Sequence, residues 1–213
     1  MSDSGMEINF PYFSSKLNIK RNDCLYIELD SVSVKDVKMG VTKCVFLDRD
    51  GVLNEELGYQ VTKPEEFKVK EGIAEPLKQL KEAGYLLIVI TNQSGIAKGN
   101  YTEDFVLECH ERIQQACGGI LDDLYFAPGH ESVSKSLLRK PDSLMFEKAI
   151  AKYNIDPAQS WMIGDKERDL IPAKKLGIGS IHLTDKEVSE YADFKVSDLT
   201  EAVAEILNVK VEG

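Results

Sequence analysis

Two aspartates spaced two residues apart, Asp48 and Asp50, follow the apolar run Val45-Phe46-Leu47, and Gly51 comes directly after them. Placing two carboxylates at the end of an apolar strand is costly unless a cation or a hydrogen-bond network compensates them. The spacing suits chemistry. Asp48 can project into a crevice at the strand end, while a turn at Gly51 brings Asp50 round to the same space. One carboxylate is then placed to attack and the other to donate or accept a proton. Taken alone, the stretch reads equally as a strand followed by an acidic turn, since Asp and Gly are common turn formers.

Other strand ends tip the balance. The run Tyr85 to Ile90 ends in Thr91-Asn92-Gln93-Ser94-Gly95, and Trp161-Met162-Ile163 ends in Gly164-Asp165, with Asp169 one helical turn on. A basic pair, Arg139-Lys140, precedes Pro141. Carboxylates converging from separate strands form an oxygen-rich site for a hard cation, Mg²⁺ by preference. The Thr91 hydroxyl and the Lys140 ammonium suit phosphate oxygens, and backbone amides of the Thr91 to Gly95 turn can add donors.

These groups need a scaffold, and the pattern from Lys43 onward supplies one. Helical spacing joins Ile73, Leu77, Leu80 and Ala83, closed by Gly84. A helix capped by Thr102 turns Phe105, Cys109, Ile113 and Ala116 inward. Leu124 to Ala127 reads as a short strand. Asp142 or Ser143 caps a helix bearing Met145, Phe146, Ala149, Ile150 and Tyr153 inward. A helix from Asp169 to Leu176, a strand from Ile178 to Leu183 and a terminal helix from Leu199 to Leu207 complete the series. Alternating strands and helices with short connections predict an α/β fold, a Rossmann-like parallel sheet with helices on both faces. In such sheets ligands bind beyond the carboxyl ends of the strands, where the polar bursts lie. Residues 1–40 differ: Leu17 and Ile19, then Leu25, Ile27 and Leu29, alternate with polar residues and predict a β-hairpin extension ahead of a catalytic domain spanning 41–213.

Bulk properties exclude several classes. The 213-residue chain carries a formal charge of -10, which argues against nucleic acid or an anionic membrane as partner. No apolar run approaches membrane-spanning length, and no secretory n-region and h-region opens the chain. The four cysteines form no Cys-x-x-Cys pair. A reduced, cytoplasmic setting is the expectation.

The ordered motifs from Lys43 to about Leu183 resemble those of the haloacid dehalogenase superfamily of phosphohydrolases. Asp48-Arg49-Asp50-Gly51 is similar to its nucleophile motif, Thr91 to the second, Lys140 to the third, and Gly164-Asp165-x-x-x-Asp169 to the fourth. The resemblance implies that Asp48 attacks phosphorus to give an aspartyl-phosphate and that Asp50 protonates the leaving oxygen and later deprotonates water. It implies Mg²⁺ held by Asp48, the Asp50 carbonyl and Asp165, with Asp169 in support, and a phosphoryl group held by Thr91 and Lys140. Within the superfamily, Asn54, Gly58-Tyr59, Asn92-Gln93-Ser94-Gly95-Ile96-Ala97-Lys98-Gly99, Arg139-Lys140-Pro141 and Gly164-Asp165-Lys166 look like the heptose 1,7-bisphosphate 7-phosphatases. The histidinol-phosphate phosphatases share the first motif but usually carry Asp-Gly after the Asn-Gln. The motif spacing leaves no room for a large cap domain. Substrate contacts are therefore expected from Asn54, Tyr59, Asn92, Gln93, Ser94 and Arg139, the last resembling the residue that meets a second phosphate. Lys98 and Lys166 read equally as phosphate contacts or as solvent-facing charges.

One departure concerns metal. The family commonly carries a zinc loop rich in Cys and His, but here the region reads Ala127-Pro128-Gly129-His130-Glu131 and Ser136-Leu137-Leu138. One histidine cannot make a tetrahedral structural site, so no zinc is expected. The expected partner is a small phosphorylated sugar; histidinol phosphate or another small phosphomonoester is the alternative. A catalytically silent binding domain is the reading from another class, against which the intact Asp48, Asp50, Thr91, Lys140 and Asp165 speak.

Overall fold

A computed structural model describes residues 41–133 and 135–208. The expected N-terminal hairpins lie outside the described residues. Six strands form one all-parallel sheet in the order β3-β2-β1-β4-β5-β6: β1 Cys44–Leu47, β2 Leu86–Asn92, β3 Asp123–Ala127, β4 Trp161–Gly164, β5 Gly179–Leu183 and β6 Phe194–Val196. Five α-helices connect or follow them: α1 Ala74–Glu82, α2 Glu103–Cys117, α3 Leu144–Tyr153, α4 Glu167–Lys175 and α5 Leu199–Asn208. The α/β expectation holds.

Central β1 is buried on both faces, as a continuous apolar run demands. Side chains alternate across the pleat, and the two resulting cores differ in the helices that close them. Val45 and Leu47 pack with Leu87, Val89, Ile163 and residues of α1, α2 and α5. Cys44 and Phe46 pack with Ile88, Ile90, Met162 and residues of α3 and α4. Phe46 meets Phe146 of α3 with ring centroids 5.0 Å apart, within the range favoured for tilted aromatic pairs. Both layers thus clamp the strand that carries Asp48.

Several expectations shift by a residue or two. Thr91 and Asn92 belong to β2 itself, paired with Phe126 and Ala127 of β3. Helix α4 starts at Glu167, which puts Asp169 inside its first turn, where a carboxylate is favoured by the helix dipole. Thr102 caps α2 as expected, its hydroxyl accepting from the Phe105 amide at 3.4 Å. Ala116 points outward, and Cys117 takes the inward position instead. Edge strand β6 escaped prediction because three residues are too few to show alternation.

Strand order reverses at β1: the chain runs outward from β1 through β2 to β3, then returns to place β4 on β1's other side. That switch point is where a crevice opens beyond the strand ends. Among the described residues no helix is long and apolar enough to cross a membrane.

Candidate active site

Backbone pairing holds the first acidic residue in register. The Asp48 amide donates to the Ile163 carbonyl at 3.0 Å, extending the β1–β4 ladder by one residue. The chain then turns sharply: the Arg49 carbonyl accepts from the amides of Val52, Leu53 and Asn54, and the Gly51 amide donates to the Asn54 carbonyl at 3.0 Å. Gly51 sits at φ +88°, and a Cβ there would stand 2.5 Å from Asp165 Oδ2. Only glycine lets this turn pass so close to the end of β4.

Three carboxylates meet where β1 and β4 end. One oxygen each of Asp48, Asp165 and Asp169 lies within 4.8 Å of the others. Asp48 is 2% exposed and Asp169 0%. Lys140 is buried among them, its Nζ 2.8 Å from Asp48 Oδ1, 2.7 Å from Asp169 Oδ1 and 2.7 Å from the Ile90 carbonyl. The contacts to Asp48 and to the Ile90 carbonyl are hydrogen bonds, and that to Asp169 is an ion pair. Lys140 is therefore seated against two carboxylates of the cluster, a placement its spacing in the sequence did not show. Asp48 Oδ1 also accepts from the Arg49 amide at 2.8 Å. The Lys140 and Arg49 bonds both fall on Oδ1 and not on Oδ2.

The charge balance is uneven. Burial, and then the Asp169 carboxylate, push Asp48 up to about 7 against the opposing pull of Lys140. Burial also raises Asp165, whose Oδ2 lies 2.7 Å from Lys166 Nζ. Asp50 goes the other way. Burial alone would raise it, but the Arg49 guanidinium and hydrogen bonds from Gln93 and Asn54 outweigh burial and hold it below the usual carboxylate range. Arg49 Nη2 lies 2.8 Å from Asp50 Oδ1, and the guanidinium stands over the Phe67 ring at 5.3 Å. The sequence reading passed over Arg49; a cation between two carboxylates was the signal for it.

The end of β2 and the residue that follows it hold the others. Asn92 clamps the third motif: its Nδ2 donates to the Lys140 carbonyl and its Oδ1 accepts from the Lys140 amide, both at 3.0 Å. That amide positions Lys140 with one of its two N–H protons, and the residue also lines the smaller of two cavities beside Glu55 to Leu57. Thr91 is buried, with Oγ1 accepting from Gln93 Nε2 at 2.9 Å. Asp169 Oδ2 accepts from the Lys166 amide at 3.1 Å, so it closes the start of α4 while its other oxygen faces Lys140.

Two cavities flank the segment Glu55 to Leu57. The larger, about 630 Å³, is lined by Gly51, Lys70, Asp165, Lys166 and His182. The smaller, about 320 Å³, is lined by Asp50, Asn54, Tyr59, Asn92, Gln93 and Ser94. Asp165 of the three-carboxylate cluster opens on the first, while Asp50 and the end of β2 border the second. Lys98 and Arg139 line neither cavity among the described residues. Lys98 is exposed, and Arg139 Nη1 donates to the Gly129 carbonyl at 3.4 Å. Lys166 bridges Asp165 to Glu56 of the intervening segment, with 2.8 Å to Glu56 Oε2. In the loop before Arg139, His130 Nδ1 lies 2.7 Å from Ser132 Oγ. His182 on β5 has Nε2 3.3 Å from the Asp165 carbonyl and Nδ1 accepting from the Ser189 amide at 3.2 Å.

Comparison with known proteins agrees with this geometry. The description "haloacid dehalogenase-like hydrolase" matches residues 36–177. The D-glycero-beta-D-manno-heptose-1,7-bisphosphate 7-phosphatase of Haemophilus ducreyi is 43% identical over 145 residues, 64% of this chain and 79% of the relative. The enzyme of the same name from Pasteurella multocida is 38% identical over 174 residues, 77% of this chain and 94% of the relative. Among solved structures, the D,D-heptose 1,7-bisphosphate phosphatase of B. bronchiseptica, complexed with magnesium and phosphate, superposes with a TM-score of 0.70 at 25% identity, covering 78% of this chain and 98% of that one. The chain belongs to the haloacid dehalogenase-like hydrolase family, and it is a phosphatase.

Proposed function

We propose that this phosphatase removes the 7-phosphate of D-glycero-D-manno-heptose 1,7-bisphosphate in a Mg²⁺-dependent reaction through an aspartyl-phosphate on Asp48. The observation that carries the substrate is the 38% identity to a heptose bisphosphate phosphatase over 94% of that relative's length. The names of these relatives specify the beta anomer, which is the anomer we assign.

The residues fit a divalent cation. Asp165 Oδ1 is buried with no hydrogen-bond partner, and it belongs to a three-carboxylate cluster that two lysines leave incompletely neutralised. Asp48, Asp165 and the Asp50 carbonyl would hold the ion, with Asp169 behind them. Bound there, Mg²⁺ supplies positive charge that screens the nucleophile from the phosphate and stabilises the equatorial oxygens in the transition state.

The chain's own groups do the rest. Lys140 and the Arg49 amide fix Oδ1 of Asp48, so Oδ2 attacks phosphorus and a new O–P bond forms. The bond from phosphorus to the sugar oxygen breaks, and Asp50, which Arg49 and Gln93 favour as the carboxylate at rest, passes to that oxygen a proton it has first taken up from solvent. Water then attacks phosphorus, Asp50 takes a proton from it, and the Asp48–phosphorus bond breaks to regenerate the carboxylate. Asn54, Tyr59 and Ser94 border the cavity where the sugar would lie.

The test is kcat/KM for each anomer of heptose 1,7-bisphosphate against histidinol phosphate and hexose phosphates. The heptose should lead by more than about tenfold, roughly 1.4 kcal/mol of transition-state discrimination, and a smaller lead removes support for the named substrate. Elemental analysis of the same preparation should find no zinc; one zinc per chain refutes the metal assignment for the loop before Arg139.

Gly51→Ala offers a structural check on the cation site. The added methyl at φ +88° has to displace Asp165 Oδ2. A misplacement of about 1 Å should cost kcat on the order of 100-fold and raise the Mg²⁺ concentration needed for half-maximal rate. An unchanged Mg²⁺ requirement would show that the turn does not govern the Asp165 ligand.

A further inference from the structure

The Gln93 side chain has a place in the molecule that neither the substrate-contact expectation nor the relatives explain. It is 1% exposed, and both ends of its amide are engaged within the protein. Nε2 donates to Asp50 Oδ2 and to Thr91 Oγ1, each at 2.9 Å. Oε1 accepts from the Tyr101 hydroxyl at 2.8 Å. The tyrosine ring is itself seated: it lies 4.9 Å from the Phe105 ring, and a Cβ on Gly95 would stand 2.2 Å from its Cε1.

We infer that Gln93 is a positioning residue for Asp50, with its amide anchored by Tyr101, so that the pair sets the direction in which Asp50 transfers its proton. This rests on the reading of Asp50 as acid and base. The argument is one of geometry. A carboxylate can rotate about its Cβ–Cγ bond, and Arg49 holds it from the adjacent residue, reaching Oδ1 through Nε at 3.1 Å and Nη2 at 2.8 Å and Oδ2 through Nη2 at 3.1 Å. Gln93 adds a bond of 2.9 Å to Oδ2 from a residue 43 positions away, which ties the carboxylate to the end of β2. An amide, however, can flip, and a flipped Gln93 would present its own oxygen to Oδ2 and repel it. The Asp50 carboxylate, which only accepts, selects the unflipped amide, and the Tyr101 O–H then donates to Oε1 and anchors that end. Thr91 shares the same amide, which ties the strand-end hydroxyl and the proton-transfer carboxylate to one rigid group.

The role has a kinetic signature. kcat/KM reports steps up to departure of the leaving group, in which Asp50 donates its proton to the leaving oxygen. A nitrophenolate leaves without help, whereas an alkoxide does not. Gln93→Met and Tyr101→Phe should therefore be compared with the wild type on p-nitrophenyl phosphate, phenyl phosphate and a primary alkyl phosphate. For Gln93→Met, kcat/KM should fall about 30-fold or more on the alkyl phosphate and less than about threefold on p-nitrophenyl phosphate, because general-acid assistance is worth roughly 100- to 10,000-fold and only its alignment is disturbed. Tyr101→Phe, which keeps the ring and its packing, should show the same gradient with a smaller loss and an unchanged Tm within a few degrees.

Equal losses on all three substrates, or a rise in KM without a leaving-group gradient, would overturn the inference and return Gln93 to a substrate contact or a packing role. Wild-type activity separates this outcome from failure of the underlying reading. If the wild type hydrolyses none of the three with Mg²⁺, the acid–base assignment itself falls; if it does and the variants lack the gradient, only the positioning role falls.

Discussion

Asp48→Asn should reduce kcat by about 10,000-fold or more while leaving the fold intact, because it removes the nucleophile and with it the covalent route. The residual rate would come from binding and electrostatic stabilisation alone. A second consequence distinguishes this site from an ordinary buried aspartate. In the metal-free protein Asp48 binds its proton more tightly than an unfolded aspartate would, since burial and Asp169 raise it to about 7. A raised folded value means that its contribution to stability is full below the unfolded value and is lost as pH rises through about 7. Above that pH the ionised carboxylate opposes folding, and the neutral amide does not. Metal-free Asp48→Asn should then unfold at a higher temperature than metal-free wild type at pH 8, and the gap should close at pH 5. Substantial activity in the variant, measured by phosphate release under single-turnover conditions, would exclude Asp48 as nucleophile. A lower Tm at pH 8 would instead show that attraction to Lys140 outweighs the repulsion from Asp169.

Lys140→Met should be the most damaging single change for stability and activity together. Removing one partner of a buried ion pair costs about 3–5 kcal/mol, because the remaining charges stay buried without compensation. In a domain of this size that corresponds to a Tm lower by roughly 10 °C. The nucleophile also loses the contact that fixes Oδ1, and loss of one such preorganised donor typically costs about 100- to 1,000-fold in kcat. The Ile90 carbonyl, now without its donor at 2.7 Å, adds to the destabilisation. Mg²⁺ should recover part of the Tm by restoring positive charge beside Asp48, but not the rate. Adding Asp169→Asn to Lys140→Met should restore stability further, since the two side chains are in contact and their effects do not add. A Tm within about 2 °C of wild type for Lys140→Met alone would mean that the carboxylates are neutralised by protonation and not by the lysine.

The scaffold and the polar groups that gather at its strand ends were legible in the chain. Apolar runs ending in polar bursts at Leu47, Ile90 and Ile163 announced parallel strands with ligand-facing ends, because a strand covered on both faces has to be apolar and charge can appear only where it emerges. Asp48, Asp50, Thr91, Lys140, Asp165 and Asp169 were all legible from that logic and from motif order. Tertiary structure decided what each of them touches. Lys140 reads in the sequence as a surface cation reaching for phosphate; only the packing of β1 against β2 and β4 buries it against Asp48, Asp169 and the Ile90 carbonyl. Asn92 and Gln93 look like substrate donors on a loop, but their amides are turned inward to Lys140 and Asp50. Tyr101 carried no signal, since a tyrosine ahead of a helix cap is ordinary and its hydroxyl matters only through Gln93. Pairwise contacts across 8, 43 or 48 residues depend on side-chain direction at the sheet's end, which residue type and spacing do not encode. The two aspartates thus follow from the chain, and the division of labour around them follows from the fold.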